Sequence, residues 1–322
     1  MVFRKYSLDG PCCDGRISIL GSKTVPMKIL LTGKDGQVGF ALHKKLASLG
    51  EVIATDHNEL NLENSDAIRA FIEKIKPDMI INAAAYTDVD KAESDIELAH
   101  KVNTEAPRVL AEKASQFDIP IIHFSTDYVF DGLKNEHYLE TDQPNPQSVY
   151  GQTKCKGEEA IRQYKKHIIL RTSWVFGSHG QNFLKMILKL IQEKKSLNIV
   201  SDQKGTPTSV DALADVTYTI VKTILNKANF EDFGTYHAVL GGETNWYQYA
   251  CFITDEVIRL GLKTTMTSQN IKSIPSDAYP TVAKRPMNSR LNTTKIKKTF
   301  MLEFPSWEME VAAILKIALI NN

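Results

Sequence analysis

The stretch Met27-Lys-Ile-Leu-Leu-Thr-Gly33-Lys-Asp-Gly36-Gln-Val-Gly39 decides the fold. Its first six residues form an apolar strand pattern, and Phe40 to Leu49 then shows the apolar spacing of a helix that ends at Gly50. Strand, glycine triplet and helix in this order are the context of a dinucleotide fingerprint. The first glycine permits a tight turn, the second lets the backbone approach a pyrophosphate, and the third lets the helix pack on the strand. The N-terminus of that helix would then favour the bound anion.

An acidic residue follows the second predicted strand. Glu51 to Thr55 is apolar enough for a strand, and Asp56 comes directly after it. A carboxylate at this place accepts hydrogen bonds from the ribose hydroxyls of an adenosine. Lys34 and His57 lie close enough in sequence to soften its repulsion of a 2′-phosphate. The pattern therefore predicts a site for NADPH or NADH, and the alternative is a plain tight turn between a strand and a helix.

The first half of the chain continues to alternate between strands and helices. A helix is predicted from Ser65 to Ile75, a buried strand from Asp78 to Ala85, a long helix from Ser94 to Phe117 and another buried strand from Ile119 to Phe124. This alternation predicts an α/β fold, a Rossmann-type doubly wound parallel sheet. Asn103 falls in the middle of the long helix, where a local hydrogen bond and a functional role are both open.

A hydroxyl, a phenol and an amine follow the strand that ends at Phe124. Thr126 lies at the carboxyl end of that strand, where open α/β sheets bind ligands. Tyr150 and Lys154 are four residues apart on a predicted helix and share one face. An ammonium beside the phenol lowers its pKa and suits it to proton transfer, and Thr126 can share a developing oxyanion. The set predicts carbonyl reduction by hydride transfer. Tyr218 and Lys222 repeat the spacing, but on an apparent surface helix with no strand-end hydroxyl before it.

The pattern loosens after the first half and predicts a smaller α-rich C-terminal lobe. We expect residues 1–26 to be a disordered extension or a start placed upstream of Met27. We expect residues 27–178 to form the dinucleotide-binding domain, with 209–239 returning to it. We expect residues 179–208 and 240–322 to form the substrate-binding domain.

Two further features of the second half are predicted. A strand is expected near Lys263 to Ser268. The loop from Ala278 to Arg290 has Pro and Arg without periodicity, and Arg285 or Lys284 in it is a candidate for gripping an anionic part of a substrate. An ordinary basic loop explains the same pattern.

Composition excludes several classes of function. The 322 residues are 43% hydrophobic and 24% charged, with a net charge of +1, which gives no electrostatic reason to bind nucleic acid or an anionic membrane. No apolar run has the length of a transmembrane helix. The four cysteines have neither metal-ligand spacing nor a disulfide framework, so a reduced, cytoplasmic protein is expected.

With these motifs together, the chain resembles the dTDP-4-dehydrorhamnose reductase family of extended short-chain dehydrogenases/reductases, from Met27 to near the C-terminus. The stretches that carry the resemblance are Gly33-x-x-Gly-Gln-Val-Gly39, Asn82-Ala-Ala-Ala85, Asp88-x-Asp-Lys-Ala-Glu93, Ser125-Thr-Asp-Tyr-Val-Phe-Asp-Gly132, Val149-Tyr-Gly-x-Thr-Lys154, Arg171-Thr-Ser-Trp-Val-Phe176, Gly205-Thr-Pro-Thr208 and Arg285-Pro-x-Asn-Ser-Arg-Leu291. The fourth and sixth are far more specific than the first and fifth, which many nucleotide-sugar enzymes share.

The resemblance implies reduction of the C4 ketone of dTDP-4-dehydro-L-rhamnose to dTDP-L-rhamnose, with NADPH or NADH as hydride donor. By motif, Tyr150 is the proton donor, Lys154 binds the nicotinamide ribose and tunes Tyr150, and Thr126 hydrogen-bonds the sugar oxygen. The residues implied to line the cofactor are Gly36, Gln37, Val38, Asp56, Asn61, Leu62, Ala84, Ala85 and Tyr86. The residues implied to contact the substrate are Asp127, Tyr128 and Trp174, to which the basic loop adds Arg285.

The resemblance also bears on metals and assembly. Some members carry an acidic residue after the aromatic residue that follows the third glycine, and this residue joins a magnesium-bridged dimer. Here Ala41 follows Phe40, so no metal site is expected, while a homodimer remains open.

Two other functions are compatible with much of the pattern. One is another nucleotide-sugar enzyme, an epimerase, reductase or 4,6-dehydratase, although Tyr128 after Asp127 argues against dehydration. The other is a non-catalytic binding protein like the regulatory subunit of methionine adenosyltransferase. Arg171-Thr-Ser-Trp174 favours the reductase.

Overall fold

The computed structural model describes residues 26–227 and 229–320, so the extension predicted over residues 1–26 lies outside the described residues except for its last one. The strands are β1 (Lys28–Thr32), β2 (Glu51–Thr55), β3 (Met79–Asn82), β4 (Ile121–Thr126), β5 (His167–Thr172), β6 (Val175–Phe176), β7 (Leu197–Val200), β8 (Lys204–Gly205), β9 (Thr208–Ser209), β10 (Gly234–His237), β11 (Thr244–Asn245) and β12 (Ile271–Ile274). The helices are α1 (Gln37–Leu46), α2 (Ser65–Ile75), α3 (Ile96–His100), α4 (Ala106–Phe117), α5 (Val149–Arg162), α6 (Phe183–Glu193), α7 (Val210–Asn226), α8 (Trp246–Arg259), α9 (Thr294–Phe300) and α10 (Trp307–Ile320).

The central sheet has six strands in the order β10-β5-β4-β3-β1-β2, and every neighbouring pair is parallel. The strands β2 and β3 lie on opposite sides of β1, so the chain changes direction across the sheet at β1. In open α/β sheets, ligands bind at the carboxyl ends of the strands beside such a switch point. The predicted doubly wound parallel fold is confirmed.

Both faces of the sheet are covered by helices, which explains why its strands are continuous apolar runs. Successive side chains of a strand point to opposite faces. Ile29 and Leu31 therefore pack with α1, α7 and α9, whereas Leu30 packs with α2 and α4 on the other face. All three side chains are fully buried.

Local side-chain chemistry sets where the helices begin and end. The side chain of Asn64 accepts hydrogen bonds from the first turn of α2, and Lys76 closes that helix in the left-handed region before Pro77. Ser148 caps α5 by accepting from the backbone N–H of Gly151. This cap places the first turn of α5 beside the carboxyl end of β4.

A second core joins α6, α8 and α10 into the smaller α-rich lobe. Its short parallel sheet pairs β7 with β12. The prediction of a strand near Lys263 to Ser268 is wrong, because the strand lies at Ile271–Ile274. Thr267 and Asn270 form a reciprocal capping box, and these local hydrogen bonds compete with strand pairing.

None of the helices within residues 26–227 and 229–320 combines the length and the apolarity that a membrane span needs.

Candidate active site

A cavity of about 840 Å³ runs along the carboxyl ends of the central strands. Its volume lies in the range of small-molecule sites. The site residues predicted from the sequence that line it are Gly33, Gly36, Gln37, Val38, Asp56, Leu62, Ala84, Ala85, Tyr86, Thr126, Asp127, Tyr128, Tyr150, Lys154 and Trp174. The predicted residues outside this lining are Gly39, Asn61 and Arg285.

The turn between β1 and α1 can be built only with glycine at two positions. Gly33 has a φ of +78°, and a Cβ on it would lie 2.8 Å from the Cα of Ala84. A Cβ on Gly39 would lie 2.0 Å from the carbonyl oxygen of Gly33, so Gly39 lets α1 pack on the turn. The N–H groups of Gly33 and Lys34 both donate to the Thr55 oxygen, at 2.9 and 3.0 Å, which ties the turn to β2.

The N-terminus of α1 carries no side-chain cap, a feature it shares with α4. Side chains cap α2, α5, α6, α7 and α8, whereas Gly36 at the N-cap of α1 offers none. The first N–H groups of a helix have no partner within the helix. Gln37 and Val38 from this turn line the cavity, so the positive end of α1 meets it. The arrangement fits a pyrophosphate group.

Asp56 follows β2 at the same edge of the sheet. Its Oδ1 accepts from the backbone N–H groups of Glu59 and Asn58, at 3.0 and 2.8 Å, and its Oδ2 lies 3.4 Å from the Nζ of Lys34. These hydrogen bonds, that from Glu59 first, lower the pKa of Asp56. The carboxylate is therefore ionised and has its second oxygen beside a cation that Glu59 also contacts.

Asn61 and Leu62, both predicted at the adenine end of the site, have different surroundings. Leu62 lines the cavity, whereas the Asn61 side chain accepts from the backbone N–H of Glu63 at 2.8 Å and stabilises a local turn. The implied contact of Asn61 with a cofactor therefore has no direct support in this arrangement.

Tyr150 lies in the first turn of α5 and faces the end of β4. Its ring meets the ring of Tyr128 edge-on, with centroids 5.5 Å apart. Burial raises the pKa of Tyr150 to about 12, with the Thr126 hydroxyl working in the opposite direction. The phenol is therefore protonated at neutral pH, as a proton donor must be.

Lys154 lies one turn further along α5 and is 2% exposed. Its Nζ donates to the carbonyl oxygen of Phe124 at 2.7 Å and lies 3.4 Å from the Nε2 of His123. Burial lowers the pKa of Lys154 to about 8, and Glu158 opposes this effect. The predicted lowering of the Tyr150 pKa by Lys154 is not seen, because the amine is directed at β4.

Asp127 is buried directly after β4. Burial raises its pKa to about 6, and the hydroxyls of Ser289 and Thr126 oppose the shift. The Oγ1 of Thr126 donates to Oδ1 at 3.0 Å, whereas Oδ2 has no hydrogen-bond partner among the described residues. An orphaned buried oxygen at the cavity suits a ligand hydroxyl, since buried polar groups are ordinarily paired. Ser289 was not predicted as a site residue, although it lies in the stretch Arg285-Pro-x-Asn-Ser-Arg-Leu291.

Trp174 lines the cavity in a strained conformation. Its φ is +48°, which is uncommon for a bulky residue. Its indole stacks on Trp246, with centroids 3.6 Å apart and planes 13° apart. A Cβ on Gly205 would lie 2.6 Å from the Trp174 ring, so that glycine makes room for it. Packing from two other elements thus holds the backbone strain, and Trp246 was not predicted.

Arg285 pairs with Asp90 instead of lining the cavity. Its Nη1 and Nη2 donate to the two carboxylate oxygens, at 3.0 and 2.7 Å. The hydrogen bonds from Arg285 lower the pKa of Asp90 to about 2. The pair ties the loop before α9 to the loop after β3. The interpretation that Arg285 grips the substrate stays a prediction, and the geometry favours a bracing role.

Asn103 holds together two loops of the site. The predicted long helix is interrupted by a π-helical turn, Lys101–Glu105, which turns the Asn103 side chain inward. The Asn103 amide accepts from the N–H of Tyr86 at 2.9 Å and donates to the Tyr86 oxygen at 3.0 Å and to Thr153 at 3.2 Å. It therefore fixes the turn after β3 against α5. No sequence pattern marks a π-helical turn.

The second Tyr-x-x-x-Lys pair lies apart from the cavity. Tyr218 is on α7, where the Nζ of Lys45 lies 5.4 Å and that of Lys222 5.7 Å from the centre of its ring. Within the described residues, neither Tyr218 nor Lys222 lines the cavity at the strand ends.

Comparisons with known proteins agree with this site. The family profile described as RmlD substrate binding domain matches residues 27–320. A dTDP-4-dehydrorhamnose reductase of Salmonella typhimurium is 43% identical over 294 residues, which are 90% of this chain and 97% of the relative.

Solved structures give the same result. A dTDP-4-dehydrorhamnose reductase of Clostridium acetobutylicum aligns with a TM-score of 0.82 and 34% identity over 91% of this chain and 100% of its own. That of Bacillus anthracis, in complex with NADP, aligns with a TM-score of 0.80 and 28% identity over 92% and 99%. The resemblance predicted from the motifs is confirmed: the chain belongs to the RmlD substrate binding domain family, whose similar members are dTDP-4-dehydrorhamnose reductases.

Proposed function

We propose that this enzyme reduces the C4 ketone of dTDP-4-dehydro-L-rhamnose to dTDP-L-rhamnose with NAD(P)H and that Tyr150 donates the proton. The observation that carries the assignment of roles is that Tyr150, Thr126 and Lys154 line the same cavity as the uncapped N-terminus of α1. One cavity thus joins a proton donor to an anion site.

The residues around α1 fit a dinucleotide. The turn from Gly33 and the N–H groups of Gln37 and Val38 would hold the pyrophosphate, and Asp56 would hold the adenosine ribose. The Bacillus anthracis relative is in complex with NADP. When bound, the nicotinamide supplies the hydride for the ketone carbon.

The protein's own part of the reaction is proton delivery and charge stabilisation. The phenol of Tyr150 donates its proton to the sugar oxygen as negative charge develops there. The hydroxyl of Thr126, beside Tyr150, would turn its proton from Asp127 to the same oxygen and stabilise that charge. Lys154 would bind the nicotinamide ribose.

Asp127 and Trp174 would hold the sugar. The unpaired Oδ2 of Asp127 accepts a hydrogen bond from a sugar hydroxyl, and the indole of Trp174 offers an apolar face at the same wall. These contacts would orient the ketone toward Tyr150.

The test is the fall of NAD(P)H absorbance with dTDP-4-dehydro-L-rhamnose. Tyr150→Phe keeps the ring and removes only the transferable proton, so turnover should fall about a hundredfold or more while folding and cofactor binding survive. Tyr218→Phe is the matched control and should stay close to wild type. If the wild type oxidised no cofactor with any 4-keto sugar nucleotide but bound a partner protein, the regulatory-subunit alternative would replace the reductase.

We further propose the division of labour between domains. Residues 27–178 with 209–239 bind the dinucleotide, which the pairing of β10 with β5 supports. Residues 179–208 and 240–322 bind the sugar nucleotide, supported by the shared core of α6, α8 and α10.

The setting and assembly are proposals as well. Cys155 and Cys251 are both free thiols, which supports a reduced cytoplasmic environment. The family resemblance allows a homodimer, and sedimentation equilibrium of the purified protein decides between one chain and two.

A further inference from the structure

Three polar side chains stand in one row across the central sheet. Thr32 pairs in register with Asn82 on the neighbouring strand, and Asn82 pairs with His123 on the next. Alternation along each strand directs them to the face that α4 and α5 cover. All three are at most 1% exposed. Buried polar groups on an otherwise apolar sheet face are costly unless they are hydrogen-bonded.

The row forms a continuous chain of contacts that ends at Lys154. The hydroxyl of Thr32 donates to the Oδ1 of Asn82 at 2.7 Å, and the Nδ2 of Asn82 lies 3.0 Å from the Nδ1 of His123. The Nε2 of His123 lies 3.4 Å from the Nζ of Lys154. The chain therefore spans three strands and reaches α5.

The donors of the row point in one direction. Because the oxygen of Asn82 is occupied by Thr32, its N–H group faces His123, and the Nδ1 of the ring must accept. Burial and then Lys154 lower the pKa of His123 well below its ordinary value, so the ring is neutral. A neutral ring that accepts at Nδ1 carries its proton on Nε2, which faces the amine.

We propose that the row Thr32–Asn82–His123 positions Lys154. The row holds His123 as the Nε2–H tautomer, and this tautomer fixes where the amine lies and favours its neutral form. The proposal rests on the role of Lys154 in the proposed function. His123 is a positioning residue in this scheme, since it acts through Lys154.

The geometry around the amine supports this direction. An amine can donate to the Phe124 oxygen and accept from the Nε2–H of His123, whereas an ammonium has no acceptor to offer. Glu158, on the same helix, is the charged group that favours the ammonium. Tyr150, Asp127 and Tyr128 are further titratable groups at this end of β4. The row and Glu158 thus act on Lys154 in opposite senses.

Two substitutions of His123 separate its contacts. His123→Gln places an amide near the Nε2 end and can turn its oxygen toward Lys154, whereas the shorter His123→Asn reaches only Asn82. With Gln, we expect kcat within about threefold of wild type and the basic limb of the kcat/KM pH profile about half a pH unit higher, the scale of one hydrogen bond. With Asn, we expect kcat to fall about tenfold. Equal rates for the two variants, with the limb at its wild-type pH, would overturn the proposal.

Nitrogen NMR of the protein with ¹⁵N-labelled histidine tests the tautomer without any assay of activity. The wild type should show His123 protonated at Nε2 alone. Thr32→Val removes the hydroxyl that orients Asn82, so the ring should populate both tautomers, while Thr217→Val, which removes a buried hydroxyl of α7, should leave the signal unchanged. A wild-type ring protonated at Nδ1 contradicts the proposal, even if the His123 variants fail to fold.

Failure of the positioning role of His123 can be distinguished from failure of the proposed function. If Tyr150→Phe abolishes turnover while both His123 variants behave as wild type, only the positioning role is lost. If Tyr150→Phe keeps its rate, the assignment of the catalytic roles is lost first.

Discussion

Replacing Glu158 by Gln is expected to weaken the protein more than any exposed charge substitution. Glu158 on α5 is 0% exposed and Arg171 on β5 is 1% exposed. The guanidinium donates to both carboxylate oxygens, at 2.8 and 2.7 Å, and Arg162 contacts one of them as well. The substitution leaves the charge of Arg171 buried without its counter-charge.

The magnitude follows from the burial of the pair. Removing one partner of a buried ion pair costs about 3–5 kcal/mol, whereas replacing both by apolar residues is often neutral or stabilising. For a chain of this size, with an unfolding entropy of about 0.6 kcal/mol/K, this cost lowers Tm by about 5–8 °C. Glu158→Leu combined with Arg171→Met should recover most of the loss.

Thermal unfolding followed by circular dichroism measures the effect. Burial pushes the pKa of Glu158 up, but Arg171 and Arg162 offset this and leave the pKa below its ordinary value. The pair therefore stabilises the protein above the unfolded pKa of Glu, and the stabilisation is lost as pH falls below it. The difference between wild type and Glu158→Gln should shrink in acid.

The control is Glu97→Gln, which breaks an exposed pair with Lys101 at 2.8 Å on a carboxylate that is 84% exposed. It should change stability by no more than about 0.5 kcal/mol. A Tm for Glu158→Gln within 1 °C of wild type, or a double variant as unstable as the single one, would refute the reasoning.

Three other predictions concern the cofactor, the extension and pH. Asp56 is ionised, but its carboxylate lies 3.4 Å from the Nζ of Lys34, so the kcat/KM values for NADPH and NADH should differ by less than about a hundredfold. A larger preference for NADPH would mean that Asp56 does not contact the ribose. Removal of residues 1–26 should leave kcat and solubility intact, since β1 begins at Lys28; insoluble truncated protein would show that the extension packs on the fold. Burial raises the pKa of Asp127 to about 6, so KM for the sugar nucleotide should fall as pH rises through that value. Asp127→Asn should remove this pH dependence of KM. A KM that is flat across this range in the wild type would exclude Asp127 from sugar binding.

The order of the first strands and helices was predictable because each is a local pattern. The apolar runs before Gly33 and Thr126 are buried on both faces and overlap the strands observed at Lys28–Thr32 and Ile121–Thr126. The glycine triplet was predictable for a similar reason, since the positive φ of Gly33 and the close approach of Gly39 both lie within one turn.

Contacts between distant parts of the chain were not predictable in this way. Arg285 is 195 residues from Asp90, and no local pattern joins them. The direction of the Lys154 amine depends on what β4 places beside it. Asn103 turns inward because of a π-helical turn, for which the sequence has no recognisable signature.

The stacked indoles of Trp174 and Trp246 give the molecule an optical property. The chain has three tryptophans, and only these two lie face to face in the described structure, 3.6 Å apart, while Trp307 meets aromatic neighbours edge-on. The electronic transitions of two stacked indoles at this separation couple as an exciton pair, which gives a signed couplet in circular dichroism when their transition moments are skewed to each other. Trp174 lines the cavity, so a ligand that parts the rings erases the couplet and one that clamps them sharpens it. Occupancy of the cavity beside Trp174 can thus be observed directly, with no label and no turnover.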